Sequence, residues 1–127
     1  MKKIIQSDQV PAPVGPYSQA VSYNGLLFAS GQIAIHPPTG KLITATIEEE
    51  THQVMKNIQA ILTEAGLSFE DVLKCSVFVK DMGMYSRINA VYGEYFNDDT
   101  APARELVEVA NLPKYVNVEI SIIAGAK

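Results

Sequence analysis

The segment 116–125 constrains the fold more than any other, because apolar residues fill every second position along it. These residues are Val116, Val118, Ile120, Ile122 and Ala124. Successive side chains of a β-strand point to opposite faces of a sheet, so the pattern predicts a strand that buries one face. Glu119 and Ser121 are then expected on the opposite face of the same strand.

Turn and cap signals predict a hairpin and a helix earlier in the chain. The dipeptide Asn24-Gly25 lies between two apolar runs and predicts a β-hairpin, because both central residues of a type I′ turn need positive φ. The segment 46–49 matches a capping box, which predicts that a helix begins there. Apolar residues recur at helical spacing over 47–65, and Gly66 is a suitable stop.

A second helix and two more strands complete the predicted pattern. Asp81 is expected to cap a helix whose apolar stripe runs over 84–96, and strands are expected over 73–80 and 103–110. The order strands, helix, strand, helix, strands predicts one α/β (α+β) domain over residues 1–127. In this domain a mixed sheet carries both helices on one face.

Strand parity predicts which charged side chains meet. In the strand at 103–110, Val107 and Val109 have the parity expected for the core, and Arg104 and Leu106 have the opposite parity. We therefore expect Arg104 and Glu119 to share the face that the helices leave open. Because that face also carries apolar side chains, we expect a neighbouring subunit to cover it, with a pocket at the subunit boundary.

Composition argues against several function classes. The net charge of −4 and the lack of any basic run disfavour nucleic acid as a partner. No stretch approaches the ~20 apolar residues of a membrane span. The single cysteine, Cys75, cannot form an intrachain disulfide, which favours a reducing, cytoplasmic setting. His36 and His52 lie far apart without other ligands at useful spacing, so no metal site is expected.

Arg104 and Glu119 are the strongest candidates for chemistry. A guanidinium binds a carboxylate through two parallel hydrogen bonds, which suits a small anionic ligand. A carboxyl group in an apolar cleft has a raised pKa and can exchange protons near neutral pH. The alternative for both residues is a structural ion pair, either with each other or, for Arg104, with Glu108. The two interpretations of Arg104 carry equal weight at this point.

Other polar positions are weaker candidates, each with a structural alternative. Tyr17 follows a rigid proline-rich segment and either donates a hydrogen bond to a ligand or fills the edge of the core. Ser30 and Gly31 end an apolar run, where glycine allows either close approach of a ligand or a β-bulge. Asn89 interrupts the second helix and is present either for its hydrogen bonds or as a solvated residue.

Several motifs, spread nearly end to end, are shared in order and spacing with a known family. They are Gly15-Pro16-Tyr17-Ser18-Gln19-Ala20, Ser30-Gly31-Gln32-Ile33, Asn89-Ala90-Val91-Tyr92, Pro102-Ala103-Arg104, Val107-Glu108-Val109-Ala110-Asn111-Leu112-Pro113-Lys114 and Val118-Glu119-Ile120. In these motifs the chain resembles the RidA (YjgF-type) reactive-intermediate imine deaminases. The resemblance implies a chorismate-mutase-like fold, with a six-stranded mixed sheet backed by two helices, and a homotrimer whose sheets form a central barrel.

The same resemblance implies a reaction and roles for single residues. The reaction is hydrolysis of 2-iminobutanoate and 2-iminopropanoate to 2-keto acids and ammonia, without a metal or an organic cofactor, at sites between subunits. Arg104 would hold the substrate carboxylate with help from the backbone of Gly31. Glu119 and the backbone carbonyl of Leu106 would position the attacking water. The residues that would line the pocket are Tyr17, Ser30 and Asn89, with Tyr17 also a catalytic candidate.

The chain departs from the family pattern at three positions. Leu106 replaces a cysteine that many relatives carry, Asn111 replaces an arginine, and Ser121 replaces a second acid. Because only the backbone is used at 106, activity is expected to survive, whereas the lost charges are expected to alter substrate range. Two other functions stay open: a non-catalytic regulator that binds small carboxylates, and a ribonuclease or translation inhibitor, which the acidic composition disfavours.

Overall fold

The computed structural model describes residues 1–125, and the last two residues of the predicted 1–127 domain lie outside the described residues. In chain order, the strands and helices are β1 (Lys3–Ile5), β2 (Ala20–Tyr23), β3 (Leu26–Gln32), β4 (Ile35–His36), β5 (Lys41–Leu42), α1 (Ile47–Glu64), β6 (Val72–Val79), α2 (Tyr85–Tyr92), β7 (Ala103–Glu108) and β8 (Val118–Gly125). Neither helix is long and apolar enough to cross a membrane.

A six-stranded sheet carries α1 and α2 on one face, which confirms the predicted α+β architecture. Its strand order is β1-β2-β3-β8-β6-β7, and β4 and β5 form a separate small ribbon. The pairing of β6 with β7 is parallel and all other pairings are antiparallel. Because β8 is inserted between β3 and β6, the C-terminal strand becomes the centre of the sheet.

The alternation predicted over 116–125 is confirmed in β8, although this strand begins at Val118. Its apolar side chains at 118, 120, 122 and 124 are at most 3% exposed and lie in the core. Glu119 and Ser121 lie on the other face and are only partly buried. The central strand therefore delivers the Glu119 carboxyl group to the helix-free side of the sheet.

Most local signals also form as predicted. Asn24 and Gly25 have φ of 54° and 80° and join β2 to β3. Thr46 caps α1 by accepting a hydrogen bond from the Glu49 amide at 3.1 Å, and Gly66 follows the helix with φ of 75°. Asp81 instead caps a 3₁₀ turn that precedes α2, so that this helix begins four residues later than its cap signal.

The predicted parity of β7 is wrong. The register pairs Arg104 with Cys75 and Leu106 with Val77, both of which face the helices, so Arg104 and Leu106 lie on the helix side of the sheet. Val107 points to the open face and is 41% exposed. The reason is that β7 lies at the edge of the sheet, where α2 leaves room for a guanidinium on the helix side. The valine at 107 therefore lies on the uncovered face and not in the core.

Candidate functional site

Arg104 lies against α2 and is held there by uncharged groups. Its Nη1 donates to Asn89 Oδ1 at 2.8 Å and its Nη2 donates to the Tyr85 hydroxyl at 3.1 Å. Its Cζ lies 4.8 Å from the centre of the Tyr92 ring and 5.8 Å from that of Tyr85, which is cation–π geometry. Burial raises the pKa of the Tyr92 phenol, which keeps that supporting ring neutral.

Arg104 does not form either of the ion pairs that the sequence left open. Glu108 accepts a hydrogen bond from the Met82 amide, Glu119 lies on the opposite face of the sheet, and no carboxylate within residues 1–125 pairs with this guanidinium. A guanidinium has five N–H donors, and these contacts use two of them. Arg104 therefore has free N–H donors and no ion-pair partner among the described residues, and it lines a shallow cleft together with Asp98.

Glu119 lies over a β-bulge on the neighbouring strand. The register between β3 and β8 slips between Ala29 and Gln32, so Ser30 and Gly31 together oppose one residue of β8. The Glu119 side chain folds across Gly31, where a β-carbon would lie 2.8 Å from the carboxyl carbon Cδ. Gly31 therefore lies in the predicted bulge, and its missing side chain leaves room for the Glu119 carboxyl group. Close approach of a ligand at Gly31 stays a prediction.

The Glu119 carboxyl group is half-buried and free. It has no hydrogen-bond or ion-pair partner among the residues that the structure describes. Burial raises its pKa above the ordinary value of 4.5. An unpartnered carboxyl group with a raised pKa is the form expected of a general acid–base group.

Tyr17 and Ser30 lie next to Glu119 and Gly31 in the same half of the molecule. Ser30 Oγ donates to the Ser18 carbonyl at 2.6 Å, which fixes the segment that carries Tyr17. The Tyr17 side chain is 51% exposed and, together with Gly31 and Glu119, lines a cavity of about 150 Å³. Tyr17 therefore does not fill the edge of the core, which was the structural interpretation of this residue.

Two buried polar residues that the sequence analysis missed hold this half in place. Gln19 is 4% exposed, accepts from the Ser7 amide at 2.7 Å and donates to the Pro11 carbonyl at 3.1 Å. Glu50 of α1 is fully buried and accepts from the backbone amides of Asn117 at 2.7 Å and Val118 at 3.1 Å. Glu50 thus fixes the start of β8 immediately before Glu119. One signal could have indicated Glu50, since it lies at helical spacing from the apolar residues Ile47 and Val54.

The two half-sites do not meet within one chain. Arg104 and Glu119 are two strands apart and three residues out of register, a separation of about 14 Å along the sheet by standard strand spacings. They also lie on opposite faces, which contradicts the expectation that both share the open face. The structure therefore groups Arg104 with Asn89 and Leu106, and Glu119 with Tyr17, Ser30 and Gly31.

The remaining predicted positions are structural or peripheral. Cys75 is buried, and burial raises the pKa of its thiol. His52 Nδ1 lies 2.8 Å from the Tyr95 hydroxyl, and residues 1–125 contain no group of three side chains able to hold a metal ion. Asn111 is exposed, and Ser121 is partly buried on the open face of β8.

Together, these observations define a small α+β protein in which an arginine without a carboxylate partner and a half-buried carboxyl group lie on opposite faces of one sheet. Residues 7–126 match the family model described as Endoribonuclease L-PSP, and the chain belongs to that family. This membership, with relatives named as RutC and Rid proteins, confirms the resemblance to the RidA (YjgF-type) family.

Three relatives illustrate the match. A RutC family protein of Synechocystis is 52% identical, over 96% of this chain and 95% of its own length. A Rid family protein of unknown function from Yersinia pestis has a crystal structure that is 45% identical, with a TM-score of 0.95 over 98% of this chain and 99% of that one. Escherichia coli TdcF, crystallised with bound serine, is 38% identical, with a TM-score of 0.92 over 98% and 99% of the two chains.

Proposed function

We propose that the protein hydrolyses 2-imino acids, such as 2-iminobutanoate and 2-iminopropanoate, to 2-keto acids and ammonia. One observation carries the proposal: an arginine without a carboxylate partner and a half-buried carboxyl group without any partner belong to one small chain. An imino acid needs both groups, one for its carboxylate and one for the protons that its hydrolysis moves.

Arg104 binds and orients the substrate in this scheme. Its contacts with Asn89, Tyr85 and Tyr92 fix the guanidinium before the substrate arrives, so little rotamer entropy is lost on binding. Its free N–H groups then donate two parallel hydrogen bonds to the oxygen atoms of the substrate carboxylate. Holding the reactant in one orientation lowers the barrier for attack at the neighbouring carbon.

Glu119 moves the protons. Water attacks the imine carbon and forms the C–O bond, while the Glu119 carboxylate takes a proton from that water. The same carboxyl group returns this proton to nitrogen, which gives a carbinolamine. It then takes the proton of the new hydroxyl group and passes it to the amino nitrogen, so that the C–N bond breaks and ammonia leaves as the ketone forms. The raised pKa of Glu119 suits a group that must both accept and give up a proton. The family resemblance adds the Leu106 carbonyl as a second acceptor for the water.

A second copy of the chain supplies the missing half of each site, in a homotrimer by the family resemblance. The separation of Arg104 and Glu119 on opposite faces supports a site between protomers. Apolar side chains left on the outside of the described chain also support an interface. They include Tyr23 at 52%, Phe28 at 40%, Leu73 at 52% and Val107 at 41% exposure. The serine in the TdcF crystals supports a small ligand that carries an α-carboxylate.

Two other functions are weighed against this proposal. A regulator that binds a small carboxylate without turnover needs Arg104 but not the protons of Glu119. A ribonuclease is favoured by the family description, but the net charge of −4 gives no basic surface for a phosphate backbone. A regulator would bind the small carboxylate without converting it, whereas an enzyme would release a keto acid, so a measurement of turnover distinguishes the two.

A coupled assay tests the proposal. Threonine dehydratase supplies the imine, semicarbazide traps the imine that is not hydrolysed, and keto-acid formation is measured with and without the protein.

We expect Arg104→Ala to lose more than about 100-fold in rate, because the guanidinium clamp that orients the substrate carboxylate is lost. The chain has one other arginine, Arg87, which pairs with Glu48 on the surface, and Arg87→Ala is the matched control. Equal activity of both variants would refute the clamp, and no acceleration by the wild type would refute the enzyme.

A further inference from the structure

The cavity beside Glu119 is largely apolar. The proposed hydrolysis of the imine uses only the polar groups at one end of it. Its volume is about 150 Å³, and Glu119, Gly31 and Tyr17 occupy one part of its wall. The apolar part of the wall is formed by Pro11, Ala12, Val14, Ile33, Ile35 and Pro113. Val14 belongs to the open side of this wall, since its side chain is 84% exposed.

Buried amides fix two sides of this wall. Gln19 donates to the Pro11 carbonyl at 3.1 Å and to the Val10 carbonyl at 3.3 Å. Asn57 of α1 is 1% exposed and donates to the carbonyls of Ile33 at 3.1 Å and Ile35 at 3.0 Å. Because buried side chains hold both edges, the cavity is a built feature and cannot easily collapse when it is empty.

We infer that this cavity binds the side chain of the substrate, and that the preferred substrates are 2-imino acids with branched or aromatic apolar side chains. The inference rests on the proposed function, since it uses Glu119 as the group that faces the imine carbon. An apolar cavity of ~150 Å³ accommodates a benzene ring, which is the size of the side chain of phenylalanine and larger than that of leucine. The methyl group of 2-iminopropanoate would leave most of this space unfilled.

The expected preference is large enough to measure. Each additional methylene in a well-formed apolar pocket changes relative kcat/KM by ~10-fold or more. The imine derived from leucine should therefore be hydrolysed at least ~10-fold more efficiently than the imine derived from alanine.

The test compares the two imines in one assay. An L-amino acid oxidase, with catalase, generates the imine from leucine or alanine, and semicarbazone formation reports the imine that remains. Ala12→Trp fills the cavity from an exposed position between two prolines, and Ala45→Trp introduces the same side chain at an exposed position away from the cavity. We expect Ala12→Trp to remove the preference for the leucine-derived imine, with at most a few-fold loss on the alanine-derived imine.

The outcomes separate this inference from the proposed function. Hydrolysis of both imines with equal efficiency would overturn the side-chain pocket and leave the deaminase proposal intact. A preference that survives Ala12→Trp, or that is lost equally in Ala45→Trp, would place the side chain elsewhere and also overturn the inference. If neither imine is hydrolysed faster than in buffer, the deaminase proposal fails and this inference fails with it.

Discussion

The two half-sites are built in opposite ways. On the β7–α2 side, side chains surround Arg104 and fix its guanidinium with two hydrogen bonds and an aromatic ring. On the β3–β8 side, the main chain does the positioning: a bulge at Ser30 and Gly31 and a backbone clamp by Glu50 fix the strands, while the Glu119 carboxyl group itself has no partner among the described residues.

The difference fits the roles proposed for the two groups. A guanidinium keeps its charge throughout a reaction, so hydrogen bonds that lock it are useful at every step. A carboxyl group that transfers protons must exist in two protonation states, and any hydrogen bond specific to one state disfavours the other. The structure therefore fixes the position of Glu119 through its backbone and leaves its oxygen atoms free.

Mixing two inactive variants is the strongest test of this comparison. We expect Glu119→Gln and Arg104→Ala each to lose activity, Glu119→Gln by ~10²–10⁴-fold, because proton transfer contributes that much to such reactions. If each site takes Arg104 from one protomer and Glu119 from another, subunits that are unfolded and refolded together regain function. About a quarter of the sites in an equal mixture combine two intact halves.

The readout is keto-acid formation by the mixed sample relative to the wild type. Separately refolded samples, mixed only afterwards without exchange, are the control and should stay inactive. Persistent inactivity of the co-refolded sample, with the oligomer intact, would show that both groups act from one chain, against the geometry of β7 and β8.

Glu50 tests whether main-chain positioning supports the Glu119 side. Glu50→Ala leaves two backbone amides and one side-chain amide of the Asn117–Val118 segment without their acceptor. Each unsatisfied buried donor costs about 1–3 kcal/mol, so we expect a loss of roughly 3 kcal/mol or more in the free energy of unfolding. That loss corresponds to a fall in Tm of ~10 °C for a chain of this size, measurable by thermal denaturation.

Two variants bracket that result. Glu49→Ala removes an exposed carboxylate from the adjacent position of α1 and should leave Tm almost unchanged. Glu50→Gln keeps one acceptor oxygen and should lose less than Glu50→Ala. If Glu49→Ala and Glu50→Ala have the same Tm, the clamp contributes nothing to folding.

The sequence predicted the parts of the fold that depend on local rules. The positive φ at Asn24 and Gly25, the cap at Thr46 and the alternation in β8 are set by neighbouring residues, and all three are confirmed. The parity of β7 depends on which strand lies at the sheet edge. The position of a strand in the sheet is a property of the topology. An edge strand with valine on its open face has the same alternation of apolar and polar residues as a strand that buries its valine face.

Candidate residues for the site could be proposed from the sequence, whereas their arrangement could not. Arg104 and Glu119 could be proposed because Arg104 lies at the start of one apolar run and Glu119 interrupts another. Their separation on opposite faces depends on the β6–β7 register, which no local pattern encodes. Gln19, Glu50 and Asn57 were missed because a buried amide or carboxylate with satisfied hydrogen bonds has the same residue type as a solvated one.

The half-buried charge of Glu119 is expected to lower the stability of the folded protein at neutral pH, and the pH dependence of unfolding tests this. Burial raises its pKa in the folded protein above 4.5, so the stabilising contribution of the protonated group is fully present below pH 4.5 and is lost as pH rises through the folded pKa. At pH 7 the wild type therefore carries an unfavourable half-buried charge that Glu119→Gln lacks. Because solvent screens a half-exposed group, we expect Glu119→Gln to be more stable by less than about 1 kcal/mol at pH 7.

Chemical denaturation at pH 7 and pH 4 measures the difference in the free energy of unfolding between the two proteins, which should disappear at pH 4. A wild type that is more stable than Glu119→Gln at pH 7 would mean that the carboxylate has a stabilising partner, and the contrast between a locked cation and a free acid would then be wrong.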